Sequence, residues 1–153
     1  MKIKELIDFI AYAKKKGYAD PNSVWKKTKD GGEKCEVKKG DFNYDDTYFG
    51  GITDSGQEKV SYKGKVIWIM AYRGGSLNEE LSDEAFNFLK ECINKIPKDF
   101  PARGPKKVTK GKWVYENKWK GNILGFVGEE DIFYGNRKIC FRNYLGGLIK
   151  NKE

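Results

Sequence analysis

The sequence predicts an α+β domain. It reads as an internally duplicated helix-plus-three-strands unit, with one antiparallel sheet, two helices on one face and a pseudo-twofold axis between the halves. Three observations predict this. The stretch from Gly56 to Leu77, GQEKVSYKGKVIWIMAYRGGSL, recurs without a gap from Gly128 to Ile149 as GEEDIFYGNRKICFRNYLGGLI, at an offset of 72 residues. A segment alternating with a period of two precedes each copy: Phe42, Tyr44, Asp46 and Tyr48 in the first, Trp113, Tyr115, Asn117 and Trp119 in the second. An amphipathic helical stripe opens each half. Such a unit buries its apolar face poorly alone, so two copies should pack into a single domain of 153 residues.

The elements follow in order. Ile3, Leu6, Ile7, Ile10 and Ala13 or Lys14 trace one face of a helix over 3–16. Lys14, Lys15 and Lys16 suit the negative end of its dipole, and Gly17 is a natural stop. Residues 18–40 read as loop, with Trp25 plugging a core edge or lining a pocket and Glu33 to Val37 forming a short edge strand. Strands follow at 41–49, 57–63 and 65–73, the last apolar on both sides and so expected to be central with both faces covered. Lys63-Gly64 makes a hairpin turn. A second helix spans 82–96, with Ser82 as cap, Phe86, Leu89, Ile93 and Ile96 as buried stripe, and Pro97 as stop. A proline-stiffened crossover occupies 97–111. Strands at 112–120, 129–134 and 137–144 complete a sheet of roughly six to eight strands, and the tail Asn151-Lys152-Glu153 reads as frayed. The repeats run from about 3 to 77 and from about 81 to 149.

Composition excludes several functions. The chain has no histidine, which removes Ser-His-Asp and Cys-His chemistry and the commonest metal ligand. Cys35, Cys92 and Cys140 are an odd number at long spacings with no CxxC pair, so neither a zinc site nor a disulfide frame is indicated, and Asp41, Asp45 and Asp46 lack metal-ligand spacing. Neither metal nor cofactor is expected. No apolar run approaches the roughly 18 residues of a membrane helix, and no signal peptide opens the chain, so a cytoplasmic protein without membrane contact is expected. The net charge of +8 favours anionic partners, but the lysines are scattered, which argues against a nucleic-acid stripe.

Two constellations carry chemistry. Glu58 and Glu130 repeat on faces shared with aliphatic residues and tyrosines, where an unpaired carboxylate is costly. Each is expected to pair with Arg73, Arg103, Arg142 or a tyrosine hydroxyl. A structural role comes first, with general acid or base catalysis as the alternative. Trp68, Met70 and Tyr72 share one side of their strand, opposite Ile67, Ile69 and Ala71; the equivalent trio in the second copy is Cys140, Arg142 and Tyr144. The aliphatic side suits helix packing, which leaves the aromatic side for a ligand, a second core or a homodimer interface. Arg103, in the segment PARGP, is rigidly presented to clamp an anion or to pair with Glu58 or Glu130.

The segments FIAYAKKKGYA, GDFNYDDTYFGG, SGQEKVSYKGKVIWIMAYRGG, FPARGP and GEEDIFYGNRKICFRNYLGG resemble a bacterial domain-of-unknown-function family found alone or C-terminal to XRE-type helix-turn-helix regulators. That resemblance implies an effector sensor; this chain lacks the helix-turn-helix itself. A looser analogy is to GyrI-like effector-binding domains, which bind ligands between pseudo-symmetric halves. The leading expectation is a non-enzymatic binding module for a small, planar, anionic, nucleotide-like ligand, acting as sensor or sponge. Tyr44, Asp46, Tyr48, Glu58, Trp68, Tyr72, Arg103, Trp119, Glu130, Arg142 and Tyr144 are its candidate contacts. The alternatives are a hydrolase or lyase using Glu58 or Glu130, and a basic nucleic-acid or protein interaction module.

Overall fold

The computed structural model describes residues 1–152. Eleven elements succeed one another: α1 (Ile3–Lys16), β1 (Trp25–Lys27), β2 (Glu33–Lys39), β3 (Phe42–Gly50), β4 (Thr53–Tyr62), β5 (Lys65–Ser76), α2 (Ser82–Ile93), β6 (Lys107–Lys110), β7 (Trp113–Asn122), β8 (Gly125–Tyr134) and β9 (Arg137–Leu148). The nine strands form one open antiparallel sheet in the order β1-β2-β3-β4-β5-β9-β8-β7-β6. The fold is therefore α+β, with one more strand than the upper end of the expected range. The two short edge strands, β1 and β6, are the ones the sequence does not mark. Both lie in polar, lysine-rich stretches, 18–40 and 97–111, where no alternation marks a strand.

Helix α1 begins where Glu5 folds back to accept the Lys2 backbone N–H at 2.7 Å. It lies over β2 and β3 and buries Leu6, Phe9, Ile10, Ala13 and Lys14. Helix α2 lies over β7 and β9. Its buried face is Ala85, Phe88, Leu89, Cys92 and Ile93, displaced from the expected stripe, and it ends at Ile93 without reaching Pro97. Ser82 is its first helical residue, and Leu81 occupies the cap position. Phe86, outside the buried set, borders the cavity described below. At the β4–β5 hairpin, Lys63 and Gly64 take positive φ (49° and 80°), the conformation that a two-residue turn requires.

The strand faces differ from the expected assignment. Trp68 and Met70 are fully buried and pack with α1 and the crossover, while Ala71 on the opposite side is exposed. The aromatic side of β5 is thus the core side, and the aliphatic side lies on the open face of the sheet. Leu145 and Val127 also project there, 59% and 53% exposed. Central position does not bring two covered faces, because all the covering elements lie on one side. Trp68 is anchored by its indole N–H, which donates to the Ile123 carbonyl at 2.9 Å.

Beneath the helices the core is two clusters. One joins α1 to β3, β4 and β5 and includes Phe100 and Ala102 of the crossover; the other joins α2 to β7, β8 and β9. Among the described residues, no helix is long and apolar enough to cross a membrane, and no group of three or more Cys, Asp or Glu is placed to hold a metal ion. Asn151 and Lys152, in the tail expected to fray, are exposed and outside any helix or strand; Glu153 lies outside the described residues.

Candidate functional site

A chain of buried polar side chains runs along the covered face. Its placement follows from register. Asp46 on β3 stands opposite Glu58 on β4, Asn117 on β7 stands opposite Glu130 on β8, and Tyr72 on β5 stands opposite Tyr144 on β9. Both tyrosines lie across a glycine on the next strand, Gly56 and Gly128 respectively. A Cβ on Gly56 would stand 2.5 Å from the Tyr72 hydroxyl, and one on Gly128 would collide with the Tyr144 ring. The glycines let the tyrosines reach one strand further, so Tyr72 donates to Asp46 Oδ1 and Tyr144 to Asn117 Oδ1, each at 2.6 Å.

The two glutamates are each neutralised. Lys14 Nζ donates to both oxygens of Glu58 at 2.6 Å, and Tyr44 donates to the same carboxylate. Arg103 binds Glu130 through Nε and Nη2, Tyr115 donates to Glu130 at 2.6 Å, and Arg142 Nε lies 3.3 Å away. Arg142 in turn forks onto Asp54 through Nη1 and Nη2 and lies over the Tyr72 ring. The tyrosine partners expected for the glutamates are present. So are the arginines of Glu130. The cation on Glu58 is a lysine.

Burial and charge set the protonation states. Burial raises the Glu130 carboxyl, but the adjacent Arg103, its hydrogen bonds and Arg142 outweigh this and hold it below the ordinary range. Burial pulls the Lys14 ammonium below its usual 10.5 even with Glu58 against it. Asp46 behaves oppositely to Glu130. Burial, and then the neighbouring Glu58 charge, push it from 3.8 to about 7, against the Tyr72 hydrogen bond, Lys14 and Arg103.

This shift has a measurable consequence. Between about pH 4 and 7 the native protein holds a proton on Asp46 that the unfolded chain has released. Stability from this group therefore falls as pH rises through that window, by up to about 1.4 kcal/mol per pH unit. In urea unfolding from pH 5 to 8, the Asp46→Asn variant should lose this contribution and gain on wild type as pH rises; parallel profiles would refute the assignment.

Part of this polar chain opens on a cavity of about 560 Å³. Its floor is Asp46, Tyr48, Asp54, Tyr72, Arg103 and Arg142; α2 contributes Ser82, Asp83, Phe86, Leu89 and Lys90 to its wall, and Gly50 to Ile52 and Tyr18 close its ends. Five residues singled out from the sequence thus meet there: Asp46, Tyr48, Tyr72, Arg103 and Arg142. Six do not line it. Tyr44, Glu58, Glu130 and Tyr144 lie in the buried polar chain, Trp68 is in the core, and Trp119 stacks on Phe100 with centroids 4.4 Å apart. Trp25 packs edge-on against Tyr48, outside the cavity.

Sequence reasoning missed Lys14, Tyr18, Asp54, Tyr115, Asn117 and the cavity wall of α2. Lys14 had a signal, since it continues the apolar stripe of α1. Tyr115 and Asn117 had one as well, at the places that answer to Tyr44 and Asp46. Asp54 and Tyr18 lie at element ends with no pattern to expose them.

An antiparallel sheet covered on one face by two helices, with a charged cavity beneath one of them, defines the architectural class. The chain belongs to a domain family described as Domain of unknown function (DUF5680), which matches residues 46–149. That span takes in the cavity floor from Asp46 onward, α2 and the strands through β9, and leaves out α1. No curated protein and no solved structure shows a significant match to the chain.

Proposed function

We propose that the protein is a non-enzymatic binding module for a small planar molecule, held in the cavity between α2 and the sheet. One observation carries this reading. The cavity places an aspartate with a free oxygen, two arginines and the rings of Tyr48, Tyr72 and Phe86 around a space of about 560 Å³, in the size range of small-molecule sites. Both halves of the proposed duplication contribute to the cavity, Asp46, Tyr48 and Tyr72 from the first and α2, Arg103 and Arg142 from the second. In a family that occurs alone or behind a helix-turn-helix, the module acts as a sensor or a sponge.

The arginines do not settle the ligand's charge. Arg103 is bound to Glu130 and Arg142 to Asp54, so neither presents an unbalanced positive charge. An enzymatic alternative, a hydrolase or lyase, would fall on Asp46 and Tyr72, since Glu58 and Glu130 do not reach the cavity.

Thermal-shift measurements against bases, nucleosides, nucleotides and other planar metabolites test the reading. At least one should raise the melting temperature of the wild type and leave a Ser82→Trp variant, with its cavity plugged, unmoved. No shift from the whole panel, or equal shifts in the plugged variant, would overturn it.

A further inference from the structure

We propose that the cavity selects a cationic ligand, a protonated amine or amidinium that donates an N–H to the free oxygen of Asp46. This rests on the binding role proposed above and adds the ligand's charge.

The first support is a charge balance. The covered face of the sheet buries three cations, Lys14, Arg103 and Arg142, and four carboxylates, Asp46, Asp54, Glu58 and Glu130. Three carboxylates are matched, as Lys14–Glu58, Arg103–Glu130 and Arg142–Asp54. Among the described residues Asp46 forms no ion pair, and burial and the Glu58 charge push its carboxyl to about 7. A buried carboxylate without a partner is costly, and a ligand cation supplies what is missing.

The second is Asn117. It occupies in β7 the place that Asp46 occupies in β3, opposite a glutamate and under a tyrosine hydroxyl. Its amide N–H₂ donates to the Gly104 carbonyl at 2.8 Å, so both ends of the side chain are used. Holding the tyrosine therefore needs no charge. Asp46 Oδ1 accepts from the Tyr72 hydroxyl, and among the described residues its Oδ2 accepts no hydrogen bond. The residue is only 6% exposed, and it lines the cavity. The carboxylate stands where an amide suffices for structure, on the side where a ligand would lie.

The third is the sign of the other free charges on the wall. Among the described residues Glu79 and Asp83 form no ion pair, against Lys90, which lies over the Tyr18 ring. The unmatched charge facing the cavity is negative, although the chain carries +8. Tyr18, Tyr48 and Phe86 add aromatic surface of the kind that favours organic cations.

Calorimetric titration with benzamidine, benzamide and benzoate tests the proposal, because the three are alike in size and planarity and carry charges of +1, 0 and −1. Benzamidine should bind at least tenfold more tightly than benzamide, and benzoate least. Asp46→Asn should erase the preference, so that benzamidine binds no more tightly than benzamide. On the unaltered protein, benzamidine should bind more tightly at pH 8 than at pH 6, as Asp46 gives up its proton. The other groups facing Asp46 are Glu58, Tyr44, Tyr48, Tyr72, Lys14, Arg103 and the buried Cys35 opposite it on β2. Burial raises the tyrosine hydroxyls and the Cys35 thiol away from that interval, and Asp46→Asn, which removes only the Asp46 titration, separates its share from that of Lys14. Benzoate binding as well as benzamidine, a preference that survives Asp46→Asn, or flat pH dependence would overturn the proposal and leave the binding role standing. If none of the three binds, the charge proposal falls, and the binding role is decided by the thermal-shift panel.

Discussion

Replacing Lys14 with alanine should destabilise the protein by about 3–5 kcal/mol, read as a lower midpoint in urea unfolding with little change in slope. Lys14 is buried on α1 and gives both oxygens of Glu58 a hydrogen bond at 2.6 Å. Glu58 is buried as deeply, with Tyr44 as its other hydrogen-bond donor and Asp46 as its neighbour across the strands. Truncating the lysine leaves two adjacent carboxylates beneath a helix with no cation on either. Repulsion between them and the loss of solvation act together. The cost belongs to breaking the pair and says little about what the pair contributes. The double variant Lys14→Met, Glu58→Gln should therefore recover most of the loss, since it removes both charges and keeps the packing volume. A loss below about 1 kcal/mol in the single variant would mean that water reaches Glu58.

The same lysine shows what was legible in the sequence. The spacing of Ile3, Leu6, Ile7 and Ile10 locates α1 to the residue, and it also puts Lys14 on the buried face. Three consecutive lysines before a glycine fit the end of a helix so well that the inward one is masked by its neighbours. A period also fixes that residues share a face without fixing which face is covered. Trp68, Met70 and Tyr72 were correctly grouped, but their side is the core. Large aromatic rings satisfy a core and a ligand pocket equally, and only the placement of α1 and the crossover decides between them. The short edge strands β1 and β6 carry no alternation at all, because a three- or four-residue edge strand is held by its ladder and buries little.

The cavity was half legible for a related reason. Apart from Arg103 of the crossover, the floor residues come from strands, whose alternation and repeated pattern single out Asp46, Tyr48, Tyr72 and Arg142. The wall comes from α2, whose cavity-lining Ser82, Asp83, Phe86 and Lys90 look like an ordinary helix surface until the gap beneath them is seen. The arginines were picked for their charge, and charge in a sequence carries no partner. Once Glu130 and Asp54 are found against them, the unmatched group in the cavity is the aspartate.

Replacing Arg103 with alanine should cost about 3 kcal/mol, at the lower end of the range for a broken buried pair. The difference from Lys14 lies in what remains. Glu130 keeps the Tyr115 hydroxyl at 2.6 Å and gains more from Arg142, whose Nε is already 3.3 Å away, so it is not left without a cation. Arg142 serves Asp54 as well, and one guanidinium shared between two carboxylates neutralises neither fully. The loss should depend on pH in a defined direction. With its carboxyl held low in the native state, Glu130 contributes stability above its ordinary value of 4.5, and this is lost as pH falls through the native value. Arg103→Ala should shrink that contribution, so wild type and variant converge on acidification. Arg103→Lys keeps the charge without the fork and should restore only part of the loss. The crossover gives an independent readout. The Gly104 backbone N–H donates to Tyr115 at 3.0 Å, and the Gly104 carbonyl accepts from Asn117 at 2.8 Å, so the backbone beside Arg103 is tied to the sheet by two bonds that survive the substitution. If those bonds hold the segment, hydrogen exchange at Gly104 should quicken only in proportion to the global loss of stability. Exchange that outruns global unfolding would identify the Arg103–Glu130 pair itself as the clasp that holds the crossover on the sheet.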